Sequence, residues 1–226
     1  MKVAIHQPNY LPWLGFFKKI YECDTFVILD DVQINTRAFQ NRTRINIRDS
    51  KQWLTIPIEK KDHRAEIRDV SIKQGNWKDK HLKTLEFNYG GCQFFDLLDA
   101  YREFYFKSYE NLIDLNVDII KRTLKILNIE RQIKYSSDLM IESQKNQRIL
   151  DICKVLNANC YLSGVGARAY NIGDEYRKAG IKLKYIEIKE KPYFQKGVTN
   201  FIYGLTMLDC LLNNGVDYTL DYIKRL

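Results

Sequence analysis

The amino-acid sequence predicts an α/β protein: a mostly parallel sheet flanked by helices, with a helical segment in the middle of the chain. Three observations lead there. The chain opens with an apolar run, a proline-rich polar turn, a helix and a second apolar run, the usual start of a parallel sheet. Apolar residues then recur at helical spacing from Trp77 to Leu127. The last third reads as helix, strand, glycine-rich turn, helix and strand again.

In chain order, Val3-Ala4-Ile5 is a buried strand that stops at Gln7-Pro8, because proline cannot continue a central ladder. Leu14 to Tyr21 forms a helix with Phe17 and Ile20 on one face and Pro12 at its start. Thr25 to Leu29 is a second buried strand, ending in Asp30-Asp31. Arg37 to Arg48 is basic and polar, and Trp53 to Ile58 is a strand whose Pro57 marks an edge or an end. Ile67, Val70 and Ile72 suggest a further strand. Helices are expected over Trp77–Glu86, Phe94–Tyr109 and Leu112–Leu127, then a strand at Ile133–Tyr135. Gln147–Leu156 (helix), Cys160–Leu162 (strand), Tyr176–Ala179 (helix, stopped by Gly180) and Leu183–Ile188 (strand) complete the pattern. With no repeats, low-complexity stretches or linker, residues 1–226 read as a single domain.

At 226 residues the chain is long enough to bury a core without disulfide or metal staples. Its five cysteines are scattered, with no C-x-x-C pair, and its three histidines are too dispersed for an H-E-x-x-H site. The scattered thiols, the lack of a signal-peptide core and the lack of an apolar run of membrane-spanning length point to a cytoplasmic protein without a membrane span. The net charge of +8 favours phosphate-bearing ligands. No run of five basic residues and no recognisable module supports nucleic-acid binding. A homodimer is the default oligomer.

Four constellations could carry chemistry. The first, His6-Gln7-Pro8-Asn9-Tyr10-Leu11-Pro12-Trp13-Leu14-Gly15, packs hydrogen-bonding side chains where a strand meets a helix. A helix N-terminus offers free N–H groups to an anion, so His6 is a candidate acid or base and Gln7, Asn9, Tyr10 and Trp13 candidate ligand contacts. Lys19 is a further candidate cation. The second is Asp30-Asp31-Val32-Gln33, whose carboxylates could ligate Mg²⁺, hold sugar hydroxyls or act as a general base. One of the two acids should face away, because neighbours on an extended chain point oppositely. The third is Gln40-Asn41-Arg42-Thr43-Arg44, in which two arginines share a face and can grip phosphate. The fourth is Ser163-Gly164-Val165-Gly166-Ala167-Arg168 with Tyr170, a turn that can bring backbone amides close to phosphate. Its spacing matches neither the dinucleotide fingerprint nor the Walker A loop. No G-x-S-x-G nucleophile motif is present.

On the opening HQPNYLPWLGFFKKI, on LDDVQ with the later QNRTRI, on WLTIPI, on the YLSG turn and on Pro192-Tyr193-Phe194-Gln195, the sequence resembles the WbqC-like family. That resemblance implies a role in making or decorating a sugar of O-antigen or other bacterial surface polysaccharide. The opening also resembles the turn of adenylate-forming enzymes such as pantothenate synthetase, although this chain has one histidine there, not a pair. The reaction implied is transfer of an acyl or aminoacyl group, such as glycyl, to the amine of a nucleotide-linked amino sugar. His6 or Asp31 would take the amine's proton, Arg42 and Arg44 would hold phosphate, and Gly164 and Gly166 would supply backbone donors. The partners are then a nucleotide-linked sugar and a small acyl or aminoacyl donor. ATP and Mg²⁺ are compatible cofactors that the sequence does not assign. The alternatives are a nucleotidyl- or glycosyltransferase and a non-catalytic nucleotide-sugar-binding subunit.

Overall fold

The structure is a computed structural model that describes residues 1–62, 64–168 and 172–226, apart from the side chain of Lys61. The opening residues fold as β1 (Lys2–His6), α1 (Leu14–Glu22) and β2 (Thr25–Ile28). A two-stranded hairpin follows, β3 (Arg42–Ile47) and β4 (Ser50–Thr55), then α2 (Trp77–Tyr89), α3 (Asp99–Phe106) and α4 (Leu112–Ile126). The chain then returns to the main sheet with β5 (Gln132–Tyr135), α5 (Lys145–Val155), β6 (Cys160–Gly164), α6 (Gly173–Lys178) and β7 (Lys182–Ile186), and closes with α7 (Met207–Arg225).

Five strands form a parallel sheet in the order β5-β2-β1-β6-β7. Alternation along each strand divides its side chains between two faces. Ala4, Phe26, Ile28 and Leu162 pack towards α1, α4 and α7, whereas Val3, Ile5, Val27 and Tyr161 pack towards α5 and α6. The central strands are therefore apolar on both sides, as a sheet covered by helices requires. The chain order runs outward from β1 in one direction and later from β6 in the other. The β1–β6 boundary is thus the point where strand order reverses, the position at which open α/β sheets place ligands outside the carboxyl ends of their strands.

The expected parallel α/β core and helical middle are present. Three local expectations are corrected. The segment around Ile67 is a 3₁₀ turn, Ile67–Asp69, because the backbone of Ile67 and Arg68 bonds to Val32 and Asp30 and makes no ladder. The Trp53–Ile58 strand ends at Thr55 and belongs to the separate antiparallel hairpin. The Phe94–Tyr109 helix is a 3₁₀ turn, Phe95–Leu98, leading into the shorter α3. The hairpin joint is Arg48-Asp49, both left-handed (φ 48° and 63°), the paired conformation that a two-residue turn of matching twist demands. Inside α7, Gly215 breaks the helix (φ 83°), and a Cβ there would come within 2.8 Å of the Phe94 ring. Only glycine fits that crossing.

Candidate functional site

The turn after β1 is held in an unusual path. Leu11 is buried with φ 41°, a conformation that costs a branched side chain energy and persists only when the surroundings dictate it. Thr43 Oγ1 donates to Leu11 O at 2.9 Å, Tyr10 N–H bonds Phe39 O at 3.0 Å, and Met207 N–H bonds Pro12 O at 2.8 Å. Thr206 N–H in turn bonds Arg44 O at 2.8 Å. The opening turn is therefore clamped between the hairpin and the start of α7. Gly15 permits this, since a Cβ would lie 2.9 Å from both Ile188 and the Trp13 indole nitrogen.

His6 ends β1, half-buried, with its ring set edge-on to Trp13 and Phe16 at 5.8 and 5.2 Å. Its Nδ1 lies 2.8 Å from Gln7 O. A carbonyl can only accept, so Nδ1 carries the proton and Nε2 is left with a lone pair. Burial, and then the charge of Lys19, push the imidazole down to about 3. His6 is thus neutral at physiological pH and a weak base. Lys19 is buried, donates to Ile5 O at 2.7 Å, and is lowered by burial to about 8. Gln7 Oε1 receives a very short bond from Gln40 Nε2.

Burial corrects several expected ligand contacts. Tyr10 has no exposed surface, and its hydroxyl sits between His81 Nδ1 (3.0 Å) and Tyr105 Oη (2.8 Å), so it is a core residue. Asn41 is buried and donates to Ile56 O at 3.0 Å, while Asn9 is equally buried and Lys19 is turned inward. Gln33 is exposed, and its backbone bridges to Glu66.

The β2 end is also saturated by its own fold. Asp30 accepts from Ser137 N–H (3.0 Å) and Ser137 Oγ (2.6 Å) and lies 2.9 Å from Ser136 Oγ. Asp31 lies 2.5 Å from the same Ser136 hydroxyl and pairs with Arg148 at 2.5 Å. Both acids therefore converge on Ser136, contrary to the expectation that one faces away, because the strand has ended at Ile28 and strict alternation no longer applies. Burial alone would raise Asp31, but the bonds from Arg148 and Ser136 outweigh it and hold the carboxyl below its ordinary value. A guanidinium already seated on Asp31 does not fit a divalent cation there. Among the described residues no cluster of three or more His, Cys, Asp or Glu could hold a metal.

The hairpin provides a different surface. Thr43 and Ile45 of β3 are buried, so Arg42 and Arg44 share the other face, with Arg44 paired opposite Trp53 of β4. Trp13, Phe39 and Trp53 form a chain of rings, at 4.8 Å and then 5.3 Å between centroids. Both guanidiniums lie over Trp53, at 4.1 Å for Arg42 and 4.6 Å for Arg44, and Arg44 also lies 5.4 Å from Phe39. Arg42 donates to Ala38 O at 3.2 Å and closely to Arg37 O. Among the described residues the Arg44 guanidinium makes no hydrogen bond or ion pair. Beside it opens a cleft of about 360 Å³, lined by Trp13, Phe39, Arg44, Ile188, Glu190 and Tyr203.

Across the β1–β6 boundary, Ser163 and Gly164 end β6 next to β1. Ser163 is buried, Gly166 is exposed, and a Cβ at Gly164 or Gly166 would meet nothing within 4 Å. Arg168 is exposed with its guanidinium 5.1 Å from the Tyr185 ring. Tyr170 lies outside the described residues. The structure thus brings His6, Gln7, Trp13, Arg42 and Arg44 into one neighbourhood, with Ser163 and Gly164 on the adjoining strand. Sequence reasoning missed Phe39, Glu190 and Tyr203. No local motif marks them, because they reach the site only through long-range packing.

These features define a three-layer α/β protein with an aromatic, basic cleft beside the opening turn of its sheet. The chain belongs to the WbqC-like protein family, whose sequence pattern matches residues 7–220. It is similar to uncharacterized protein Rv1507c of Mycobacterium tuberculosis (strain ATCC 25618 / H37Rv), with 30% identity over 99% of this chain and 97% of that one. No solved structure matches the chain significantly. Among the described residues no helix is long and apolar enough to cross a membrane.

Proposed function

We propose that the cleft between the opening turn, the hairpin and the segment after β7 binds a nucleotide-linked amino sugar, and that the protein passes an acyl or aminoacyl group, such as glycyl, to its amine. The observation that carries this reading is Arg44: a half-buried guanidinium stacked on Trp53 and Phe39, without an anionic partner among the described residues, beside an open cleft. A fixed guanidinium fork suits a diphosphate, and aromatic faces suit a base or sugar ring. Arg42 reinforces the positive field. The neutral His6 offers Nε2 as an acceptor to a ligand N–H or O–H, and the open space over Gly164 and Gly166 admits a ligand close to backbone. The amine would form a C–N bond to an activated acyl carbon as the bond from that carbon to the donor's leaving group breaks, and the departing group would take up the proton that the amine loses.

The test is thermal unfolding with UDP- and dTDP-linked amino sugars. A ligand at a hundred times its dissociation constant stabilises by about 2.7 kcal/mol, roughly 5–10 °C for a chain of this size. Arg44→Met should remove most of that shift while leaving the unliganded melting temperature within a few degrees. Silence from every nucleotide sugar would sink the reading. A non-catalytic nucleotide-sugar-binding subunit is the second reading. It is favoured by the low basicity of His6 and the occupation of Asp31 by Arg148, and it predicts binding without product for any acyl donor.

A further inference from the structure

Recognition of an amine calls for an acceptor that the fold has not already filled. The acids at the β2 end fail this condition, since Ser136, Ser137 and Arg148 fill them. Glu190 meets it. It follows β7, is half-buried, and lines the same cleft as Arg44 and Trp13. Its Oε2 accepts from Gly204 N–H at 2.8 Å, and among the described residues no Lys, Arg or His forms an ion pair with it. Gly204 also lies against Arg44, because a Cβ built there would stand 4.0 Å from an Arg44 guanidinium nitrogen. Its left-handed backbone (φ 69°) turns the chain so that its N–H meets Glu190. One short turn thus holds a carboxylate and a guanidinium on the same cleft without their neutralising each other. Burial raises the Glu190 carboxyl, opposed by the Gly204 bond and by the charge of Lys51 on β4. A carboxylate in this state gains most from a donor that arrives with the ligand.

We propose that Glu190 is a specificity-determining residue that receives the amino group of the sugar while Arg44 holds the diphosphate. This rests on the nucleotide-sugar reading above. Calorimetric titration tests it with UDP and dTDP, and with two matched pairs that differ in one group. UDP-glucosamine against UDP-glucose places the amine at C2. A dTDP-4-amino-4,6-dideoxyhexose against its 4-hydroxy counterpart places it at C4. The wild-type protein should bind the amine member of at least one pair ten-fold or more tightly than its partner. Glu190→Gln should shrink that preference to under three-fold while leaving the affinity for the bare nucleotide within two-fold, and Glu190→Asp should keep part of it. Nucleotide binding without an amine preference, or a preference that survives Glu190→Gln, overturns the assignment of Glu190 alone. Failure of both bare nucleotides and all four sugars to bind overturns the nucleotide-sugar reading and this inference with it.

Discussion

The ends of β1 and β2 are neighbours in one sheet, and both carry polar side chains of the kinds that bind ligands. At the β2 end every charge is answered from within: Asp30 by Ser136 and Ser137, Asp31 by Ser136 and Arg148. At the β1 end the neighbouring hairpin and the segment after β7 supply Arg44 and Glu190, two opposite charges on one cleft, neither with an ion-pair partner among the described residues. Residue type does not distinguish the two places. What separates them is whether the fold spends a group's hydrogen bonds on itself, and only groups left with bonds to make are available to a ligand.

The sharpest way to break this comparison is to remove one arginine from each place. Arg148→Met leaves Asp31 buried without its cation, and such a loss costs about 3–5 kcal/mol. Urea unfolding should show that drop, while ligand binding by the remaining folded protein is preserved. Arg44→Met should show the reverse pattern, so equal stability losses in the two variants would erase the distinction.

Asp209 extends the comparison to a buried carboxylate that has neutral donors only. Tyr89 Oη (3.1 Å), Tyr193 Oη (2.9 Å) and Gln195 Nε2 (2.8 Å) all donate to it, and burial raises it to about 6. Its folded pKa lies above its unfolded value of about 3.8, so the folded protein binds the extra proton between those limits. Stability from this group is therefore gained as pH falls from about 6 towards 4 and is absent above about 6, and the full effect is about 3 kcal/mol. Asp31 has the opposite sign: its contribution holds above the ordinary carboxylate pKa and is lost as pH falls through its lowered folded value. His6 and His81, buried and lowered to about 3 and about 4, lose stability on acidification in any variant, so going from pH 7 to pH 5 should cost Asp209→Asn more unfolding free energy than it costs the wild type. Equal pH dependence in the two proteins would assign the effect to another group.

The smallest effect is expected at Gln33. It is exposed at the β2 end, with its backbone bridged to Glu66, so Gln33→Ala should change stability by less than about 0.5 kcal/mol and leave nucleotide-sugar affinity unaltered. A measurable loss of affinity would extend the site across to β2.

The fold was legible where periodicity is local. The Val3–Ile5 and Thr25–Leu29 runs, the helix between them and the regular spacing of α4 all carry their pattern within a dozen residues. The segment around Ile67 misled because its apolar residues are buried in the core while its backbone bonds to Val32 and Asp30 and forms isolated bridges, not a strand ladder. No sequence signal assigned α7, where Asn213-Asn214-Gly215 interrupts the helical spacing that Leu208, Leu211 and Leu212 establish. The same limit applies to the candidate site. His6, Trp13 and Arg44 lie in motifs that single them out as candidates, but Glu190 sits in an unremarkable Lys-Glu-Lys run, and its place beside Arg44 is a fact of tertiary packing alone.

The strand order has a consequence for how the molecule is assembled. β1 can pair with β2 as soon as about thirty residues are available, but its other neighbour, β6, begins more than 150 residues later. Until then an apolar strand destined for the centre of the sheet presents an open edge, the kind of surface on which chains pair wrongly with one another. The clamp on the opening turn comes later still, from Thr206 and Met207. Completion of the sheet accordingly needs a late, long-range contact, and the cleft lined by Trp13, Arg44 and Glu190 draws on segments from both ends of the chain.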